Sequence, residues 1–506
     1  MAKSGDDRTD PERHLEIEAK FDVGAHTVSP CFEGLSTVTR FERTPTQHLE
    51  ALYYDTVGLD LAVNRMTLRR RTGGPDAGWH LKLPAGKART EIRLPLGPDG
   101  APVPDELLDT VLAIVRDRPL FPVARLSTTR DITKLYGHDD IALAEFCDDR
   151  VDARRIDPAE GRTAAEMQWR EWELELLDTG AGDGDGGSDD AGAMDRLAAR
   201  LLDTGAVPAG HGSKLAKILG EAVPRRAAPP TDPVHRAVVA QVANLLKIDR
   251  AVRADADDAV HQMRVTIRQI RSLLQASEQA FGLTDDATIL SELRELAAVL
   301  GLARDAEVLA ERYRAALDGL APELVRGPVR ERLVGGARRR YQSGLNRSLR
   351  AMRSVRYFRL LDALDAVVVN PPAPVDDEHP PATVATGYTR VRRRARAAGA
   401  ATGHDRDDAL HRVRKAAKRL RYLAAATGDS KVAARAKRIQ TLLGDHQDSV
   451  VSRGHLLQEA TAARTAGEDT FTYGVLFARE AELARRCEEQ LDDALKALRR
   501  SVREAS

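Results

Sequence analysis

The hydrophobic period of the sequence changes once along the chain, and this change divides the chain into two parts. Up to about residue 177, short segments alternate apolar and polar residues between Gly, Pro and Asp, which is typical of antiparallel strands. After about residue 234, long segments place apolar residues 3.6 positions apart, as amphipathic helices do. The 506 residues therefore predict a strand-rich domain at 13–220, a linker at 221–233 and a helical domain at 234–500.

The first part contains eight alternating segments, from HLEIEAKF to MQWREWELELL, with one helix expected at 104–117. The Gly- and Asp-rich residues 180–193 predict a loop before a helix at about 194–203. In the second part, helices are expected near 234–253, 256–280, 286–317, 328–350, 384–400, 405–427, 431–445 and 447–498. The Pro-rich segment 370–381 splits this part in two.

The helical part contains an internal repeat. A basic motif occurs twice, 150 residues apart, as His261, Arg264, Arg268 and Arg271 and as His411, Arg414, Lys418 and Arg421. Each copy is followed by a second repeated motif, which is Leu300-Gly301 with Arg304-Asp305 in the first copy and Leu443-Gly444 with Gln447-Asp448 in the second. A duplicated helical bundle is therefore predicted.

The formal net charge is zero, but the two parts have opposite signs. Through residue 220 there are 28 basic and 39 acidic side chains, so the remainder has an excess of basic residues. A basic helical part favours a polyanionic partner. Aromatic residues make up only 4%, and no groove-reading motif occurs, so a specific nucleic-acid partner is not expected.

The location of the chain is predicted from its cysteines and its apolar runs. Cys31, Cys147 and Cys487 are scattered and form no CxxC pair, which fits a reducing cytoplasm. No apolar run approaches the roughly 20 residues that span a bilayer, so no membrane partner is expected. The polar, acidic N-terminus is not that of a signal peptide.

Charged residues share one face on most of the predicted strands. Glu16, Glu18 and Lys20 alternate with apolar residues, and the same pattern places Glu171, Glu173 and Glu175 on one face. A half-exposed sheet would explain any single strand of this kind. Because most strands share the pattern, their charged faces are expected to line a common interior, where charges need partners or a ligand. Carboxylates and cations together suit a polyphosphate with a divalent metal.

These segments resemble the CYTH domain of the triphosphate tunnel metalloenzymes. HLEIEAKF is similar to the ExExK signature, and TLRRR, WHLKLP, RTEIRL, LSTTR, AEFCDDR and WELEL follow in the family's order over about 13–220. The resemblance implies an eight-stranded antiparallel tunnel that hydrolyses inorganic triphosphate, or another triphosphorylated compound, with a metal.

Site residues are carried over from the resemblance by position. Binding of Mg²⁺ or Mn²⁺ is implied for Glu16, Glu18, Asp149, Glu173 and Glu175. Phosphate contacts, in the catalytic site, are implied for Lys20, Arg69, Arg71, Lys82, Arg89, Arg125, Arg130 and Lys214. Asp148 is the alternative to Asp149 as a metal ligand. Lys214 could instead be a solvated helix lysine. His80 shares the face of Lys82 but is expected to be structural. The general base is left open. A metal-bound carboxylate could activate the attacking water, or the metal could activate it directly.

The repeated basic motif forms a stripe on a helix. At about 100° per residue, its offsets of 0, 3, 7 and 10 fall within an arc of roughly 80°. A solvated charged face would explain one copy, but two copies favour a polyanion. Residues 232–500 resemble the CHAD domain, a duplicated helical module associated with inorganic polyphosphate. The resemblance implies polyphosphate binding by both copies of the motif, with Arg294 and Lys437 as secondary candidates. The face occupied by Arg338–Arg340 is left open.

The expected fold is therefore α+β, with a tunnel domain followed by an all-α duplicated bundle. The expected function is hydrolysis of inorganic triphosphate, with polyphosphate bound by the helical domain in the cytoplasm or at polyphosphate granules. A polyphosphate-binding protein without turnover is the alternative. A nucleotide-processing role ranks lowest, because the sequence shows no base pocket. The substrate, the metal and the oligomeric state are left open.

Overall fold

A computed structural model describes residues 12–86, 88–98, 100–137, 140–177, 187–226, 228–276, 288–369, 383–426 and 428–505. By contacts between Cα atoms, the chain divides into two compact units. The first holds the chain up to Ala259 together with Met352–Pro371, and the second holds Val260–Ala351 and Pro372–Ser506. The predicted break at 370–381 lies outside the described residues, as does the first half of the predicted loop at 180–193. The second half of that predicted loop is instead helical, because a helix begins at Gly187 rather than at about 194.

The first unit is built around a closed antiparallel barrel. Its strands are β1 (Glu12–Val23), β2 (Arg40–Arg43), β3 (Gln47–Asp55), β4 (Thr67–Thr72), β5 (Gly78–Ala85), β6 (Ala88–Leu94), β7 (Phe121–Tyr136), β8 (Ala142–Ile156), β9 (Thr163–Leu176) and β10 (Val207–Pro208). Eight of them pair in the order β1-β6-β5-β4-β3-β7-β8-β9, and β9 pairs back with β1. This closure satisfies both edges of the sheet and confirms the predicted eight-stranded tunnel. The short strands β2 and β10 add to β7 and β1 and were not predicted.

Apolar side chains on the outer face of the barrel are covered by helices. These helices are α1 (Asp60–Val63), α2 (Asp105–Val115), α3 (Gly187–Asp203) and α5 (Pro233–Arg253). The helix α4 (Lys214–Leu219) instead packs against lumen-facing residues such as Ala51, Tyr53 and Leu126. Trp172 and Leu174 of β9 pack with Leu197 and Leu201 of α3. On another side, a second buried cluster joins outward residues of β4, β5 and β6 to α1, α2 and α5. Because the apolar faces point outward, the charged faces of the same strands must point into the barrel.

Two helices from the C-terminal part of the sequence belong to the barrel unit, α5 and α9 (Val355–Val369). Arg116, which ends α2, forms ion pairs with Asp362 and Asp365 of α9. Arg253 at the end of α5 donates to Asp109 of α2 at 2.9 Å. The compact unit around the barrel therefore extends past residue 233, and the predicted domain boundaries of 13–220, 221–233 and 234–500 stay predictions.

The second unit is helical. It contains α6 (Ala259–Ala276), α7 (Thr288–Asp318), α8 (Gly336–Met352), α10 (Val384–Ala400), α11 (Gly403–Ala426), α12 (Ser430–Thr465) and α13 (Phe471–Ala505), with a π-helical turn at Glu331–Gly335. The repeat is visible as α6 followed by α7 and α11 followed by α12. On α6, the side chains of Met263, Ile267, Ile270 and Leu274 are fully buried, so the face opposite the basic stripe is a core face, as expected.

The helix predictions in the C-terminal part of the sequence are wrong at two boundaries and miss one helix. A break near residue 446 was expected, but α12 runs through Gly444 without interruption. The chain breaks instead near Gly467, whose φ of 74° ends α12 within the helix predicted at 447–498. The helix α9 was not predicted at all. Its sequence VRYFRLLDALDAVVV is apolar on a broad face, because it is buried in the barrel unit against α5.

Candidate functional site

The pairing of the strands places charged residues from seven of the eight barrel strands in the lumen, whereas β3 supplies Leu49, Ala51 and Tyr53. Residues directly opposite each other on antiparallel strands point to the same face. Glu18 lies opposite Glu175, and Lys20 lies opposite Glu173. Lys82 lies opposite Glu91 on the far side of the barrel. The alternation of each strand then carries the same face along the lumen.

Most of the residues predicted for the tunnel line one cavity. They are Glu16, Glu18, Lys20, Arg69, Arg71, Lys82, Arg89, Arg130, Glu173, Glu175 and Lys214. Asp149 is fully buried in the same wall, where its carboxylate accepts two hydrogen bonds from Arg130 at 2.8 and 2.6 Å. Asp148 points the other way and pairs with Arg170. The choice between the two neighbouring aspartates is thereby resolved in favour of Asp149.

Arg125 does not line the lumen, and its expected phosphate contact is wrong. Its side chain is 64% exposed on the outside of the barrel, and its Nε donates to Glu50 at 3.2 Å. The physical reason is parity, since Arg125 and Arg130 are five positions apart on one strand and so lie on opposite faces. Of Arg125 and Arg130, only Arg130 therefore reaches the lumen.

The deep part of the lumen contains three carboxylates around one ammonium group. Oxygens of Asp149, Glu171 and Glu173 lie close enough together to hold a cation. The Nζ of Lys214 lies 2.8 Å from an oxygen of each. Lys214 is the first residue of α4, whose Ser213 N-cap accepts from the amide of Ala216 at 3.1 Å. The alternative reading of Lys214 as a solvated lysine is therefore wrong, because its side chain is buried at the start of α4 and points into the lumen.

The acidic groups of this deep part are fully compensated by cations. Arg130 donates to Glu173 at 2.5 Å, and Lys20 forms an ion pair with the same carboxylate. Burial opposes ionisation of Glu173, but Lys20, Lys214 and Arg130 hold its pKa well below the usual range. Glu173 and Asp149, whose pKa Arg130 and Lys214 also lower, are therefore ionised in the folded protein and paired with these cations.

The carboxylates nearer the other end are less well compensated. No Lys or Arg nitrogen of the described residues lies within ion-pair distance of Glu175, and burial raises the pKa of Glu175 with help from Glu173 and Glu18. Burial also raises the pKa of Glu16 to about 7, although Lys82 donates to it at 2.5 Å. Since Glu18 and Glu175 are directly opposite, two like charges face each other here. A divalent cation with hard oxygen ligands fits this donor set.

One buried acid was not among the predicted site residues, although its sequence signal was present. Glu91 alternates with Arg89 and Arg93 in RTEIRL and is fully buried. Its carboxylate pairs with Arg93 and lies 3.8 Å from nitrogens of Arg69 and Lys82. Glu91 therefore fixes the positions of cations that the sequence assigned to phosphate.

His80 is held behind Glu91 rather than in the lumen. Its Nδ1 lies 2.9 Å from the Glu91 carboxylate, and its Nε2 lies 2.9 Å from the carbonyl oxygen of Asp76. A carbonyl oxygen only accepts, so Nε2 carries a proton. The hydrogen bond between Nδ1 and Glu91 needs a second proton, which lies either on the ring or on the carboxyl group. His80 is fully buried by these contacts, which fits the expected structural role.

The two copies of the basic motif are seated in the same way. Arg264 packs over Gly301, where a Cβ would lie 3.4 Å from its guanidinium, and donates to Asp305 at 3.0 Å. Arg414 packs at the same distance over Gly444, and its charge partly offsets the burial that raises the pKa of Asp448. Each repeated arginine therefore packs over a glycine that has an aspartate four positions later, and Arg264 also forms an ion pair with its aspartate.

Cations of α6 and α11 act on each other. Burial lowers the pKa of Arg268, and Arg264 and Arg414 add to this. Burial likewise lowers the pKa of Lys418 to about 8, and its other neighbours from both helices add to this. We call Arg264, Arg268, Arg414, Lys418 and Arg421 the basic cluster.

The remaining predicted cations lie at its ends or elsewhere. His261 is partly buried on the same face of α6. Burial lowers the pKa of His411, with Lys415 and Arg414 adding. Arg271 faces Arg294 at the other end of α6, and Lys437 is exposed. Arg339 and Arg340 pair with Glu331 and Glu459 and line a separate cavity of about 350 Å³.

The comparisons with known proteins agree with this architecture. Residues 14–185 match the CYTH domain family, and residues 236–457 match the CHAD domain family. Two uncharacterised Mycobacterium tuberculosis proteins, from strains CDC 1551 and H37Rv, are each 61% identical over 510 residues, which covers 98% of this chain and 98% of theirs.

Solved structures give weaker similarities. PptA from Streptomyces chartreusis is 19% identical, with a TM-score of 0.43 over 53% of this chain and 100% of its own. The CHAD domain from the plant Ricinus communis is 22% identical, with a TM-score of 0.38 over 54% of this chain and 96% of its own. In the described part of the chain, every helix is too short or too polar to cross a membrane.

Replacing Lys214 tests the compensation of the deep carboxylates. Lys214→Met keeps the length of the side chain but leaves three buried carboxylates without their shared cation, so we expect a loss of about 3 kcal/mol in the free energy of unfolding. Thermal unfolding should show a lower melting temperature, which Mg²⁺ raises more than in the unmodified protein.

The matched control is Lys217→Met on the same helix. Lys217 pairs with Asp22 at 2.5 Å near the surface, so its loss is expected to cost less than about 1 kcal/mol. Equal melting temperatures for the two variants would contradict the role assigned to Lys214.

Proposed function

This chain belongs to the family of proteins in which a CYTH domain precedes a CHAD domain, and from that premise we propose that it hydrolyses inorganic triphosphate in the tunnel with a divalent metal and binds polyphosphate in its helical domain. One observation carries the proposal. Seven of the eight barrel strands bring carboxylates and cations into a single lumen, and Glu175 has no Lys or Arg partner there among the described residues.

The metal would be held by Glu16, Glu18 and Glu175. Their oxygens come from the two paired strands β1 and β9, and the repulsion between Glu18 and Glu175 favours a bound cation. When bound, Mg²⁺ or Mn²⁺ supplies charge neutralisation and an acidified water. Because burial raises the pKa of Glu16 to about 7 without a metal, binding of the cation by this carboxylate would release a proton near neutral pH.

The phosphate chain would be held by the lumen cations. Burial lowers the pKa of Arg71 to about 9, and the neighbouring Arg69 and Arg130 add to this. Arg71 forms an ion pair with Asp76, and an anion in the lumen would offset the remaining repulsion among the guanidinium groups. Arginine guanidinium groups that converge on phosphoryl oxygens also stabilise charge in the transition state of phosphoryl transfer.

The helical domain would bind longer polyphosphate through the basic cluster. Four of its five members are arginines, each of which can donate to two phosphate oxygens at once, and Arg264 is held by an ion pair with Asp305. The crowding that lowers the pKa of Lys418 is itself an indication of an anion site, because a bound polyanion would reverse it.

A polyphosphate-binding protein without turnover is the second candidate. The deep carboxylates favour it to some degree, since Lys20, Arg130 and Lys214 already neutralise them. Chain length separates the two candidates, because a binder should prefer long polyphosphate and release no phosphate from tripolyphosphate. A nucleotide-processing role ranks lower, because charged side chains dominate the lumen and leave little apolar surface for a base.

The carboxylates assigned to the metal are tested by a double substitution. Glu18→Gln with Glu175→Gln keeps the shape of both side chains but removes the charge, so phosphate release from tripolyphosphate with Mg²⁺ or Mn²⁺ should fall at least about a hundredfold. The matched control is Glu50→Gln with Glu166→Gln, whose carboxylates pair with arginines on the outside of the barrel. Full activity in the lumen variant would contradict the metal site.

Polyphosphate binding is tested by Arg264→Ala with Arg414→Ala. Binding of long-chain polyphosphate should weaken, and the dependence of the logarithm of affinity on the logarithm of salt concentration should become shallower by about two contacts. Arg339→Ala with Arg340→Ala is the control, because these arginines are paired with acids elsewhere. Unchanged affinity and salt dependence in the first variant would remove the basic cluster from the site.

The lowered pKa of Lys418 predicts that polyphosphate binding depends on pH. Its pKa is about 8 because it is buried and faces Arg268, Arg414, Arg421 and Arg264, so the ammonium is charged below this pH and loses its proton above it. Affinity for long polyphosphate should therefore fall between pH 7 and 9. Lys418→Arg stays charged over this range and should show a flatter profile. Identical profiles for the two proteins would contradict the assignment.

A further inference from the structure

The helix α10 carries a dense set of exposed arginines, which we call the arginine face. The helix contains no acidic residue, and these arginines are Arg390, Arg392, Arg393, Arg394 and Arg396. Among the described residues, no carboxylate lies within ion-pair distance of any of them. On α13, by contrast, the exposed Arg485 pairs with Glu482 at 2.6 Å and also with Glu489. The arginine face therefore presents uncompensated positive charge to solvent.

The arginines cover three sides of α10. The fourth side faces the core of the bundle, and its residues are Val384, Tyr388, Val391, Ala395 and Ala398. At about 100° per residue, Arg392 and Arg396 lie roughly 80° and 120° from the middle of that side, on one flank. Arg394 and Arg390 lie at the same angles on the opposite flank, and Arg393 lies directly opposite the core. Each flank therefore carries two arginines one helical turn apart.

The arginine face is separate from the basic cluster. A Cβ at Gly387 of α10 would lie 3.0 Å from Leu420 and 3.4 Å from Leu423, so these two side chains of α11 face α10. By the same helical angle, the members of the basic cluster on α11 lie roughly 160° away from these leucines. The two sets of cations therefore lie on opposite sides of α11 and belong to different surfaces.

The repeat gives α10 a counterpart that is already docked on another surface. The helix α5 precedes α6 as α10 precedes α11, and α6 and α11 carry the two copies of the basic motif. In the barrel unit, α5 packs against α2 and α9, where Leu246 joins an apolar cluster and Asp249 is fully buried. This place in the repeat is therefore used for docking in the first copy, and the arginines determine what the second copy can accept.

The chemistry of the arginine face favours one kind of polyanion. The other exposed residues of α10 are small, and they are Ala385, Thr386, Thr389, Ala397, Gly399 and Ala400. An acidic protein or a membrane surface would need large apolar anchors, which this face does not offer. A single polyphosphate chain would follow one line of cations and leave the opposite flank unpaired. Double-stranded DNA instead has phosphates on both walls of its major groove, which is about 12 Å wide and admits an α-helix.

We propose that the arginine face of α10 docks on double-stranded DNA, with the helix along the major groove and its two flanks paired with phosphates of the two strands. Contacts with phosphates carry no sequence information, so the docking does not depend on the base sequence. It is therefore compatible with the absence of a groove-reading motif and of aromatic platforms. The docking is non-covalent and independent of the proposed hydrolysis.

The experiment measures binding of a fluorescent DNA duplex to the full-length protein by anisotropy, between about 50 and 200 mM salt and without divalent metal. Replacing all five arginines of the arginine face by Gln keeps the helix propensity but removes the charge, so affinity at the lowest salt should fall by about tenfold or more. The slope of log affinity against log salt should become shallower by about four, one for each flanking arginine. A smaller variant, Arg392→Gln with Arg396→Gln, removes one flank and should make the slope shallower by about two.

The matched control removes the same charge from α13. Gln replaces five exposed arginines of that helix, which are Arg485, Arg486, Arg499, Arg500 and Arg503. Because distant charges are screened by salt, this variant should bind the duplex within about twofold of the unmodified protein. Equal losses in the two five-arginine variants would show that binding follows net charge alone and would overturn the assignment to α10.

Other polyanions test the choice of DNA as the occupant. Duplex RNA of the same length should bind about fivefold more weakly or worse, because its major groove is deep and narrow. Long-chain polyphosphate should bind the α10 variant as tightly as the unmodified protein, since we assign it to the basic cluster. Equal affinities for the DNA and RNA duplexes would overturn the placement in the major groove. Loss of polyphosphate binding in the α10 variant would overturn DNA as the occupant of this face.

Discussion

The structure of the tunnel domain depends on the cost of placing many charged side chains in one enclosed lumen. Each charge that leaves water needs an opposite charge or a ligand, and the barrel meets this need in two ways. In the deep part, Lys20, Arg130 and Lys214 surround Glu173 and Asp149, and every carboxylate there has a cation. Nearer the other end of the lumen, Glu175 has no such partner among the described residues. The position of this imbalance determines where a metal and a phosphate chain stabilise the protein most.

The helical domain meets a related cost by different means. The basic cluster contains cations only, so opposite charges must come from outside its two stripes. Asp305 and Asp448 provide part of this, one for each copy of the motif. The glycine before each aspartate lets the arginine lie flat on the neighbouring helix. Because both copies keep the same glycine and aspartate, the duplication preserved the seat of the arginine as well as the arginine.

The barrel could be predicted from the sequence because its signal is local. Period-two alternation locates all eight barrel strands, and it also indicates that Glu16, Glu18 and Lys20 share a face. The error at Arg125 was avoidable, since parity along β7 separates it from Arg130. The role of Glu91 was visible in RTEIRL, but the sequence does not show that its partners are Arg69 and Lys82. Those contacts depend on the register between strands, which alternation alone leaves undetermined.

Features that depend on packing between distant segments could not be predicted from the sequence. The helix α9 lies more than 200 residues after α2, and its ion pairs with Arg116 exist only in the folded unit. The convergence of α6 and α11 likewise needed the structure, because each stripe taken alone is compatible with a solvated face. Convergence changes the physical meaning of the stripe, since cations that face each other lower the pKa of the most easily deprotonated member, which is Lys418. Binding of a polyanion by this cluster is therefore coupled to uptake of a proton near pH 8, whereas Glu173 and Asp149 in the tunnel, already ionised and paired, are not expected to contribute such a coupling.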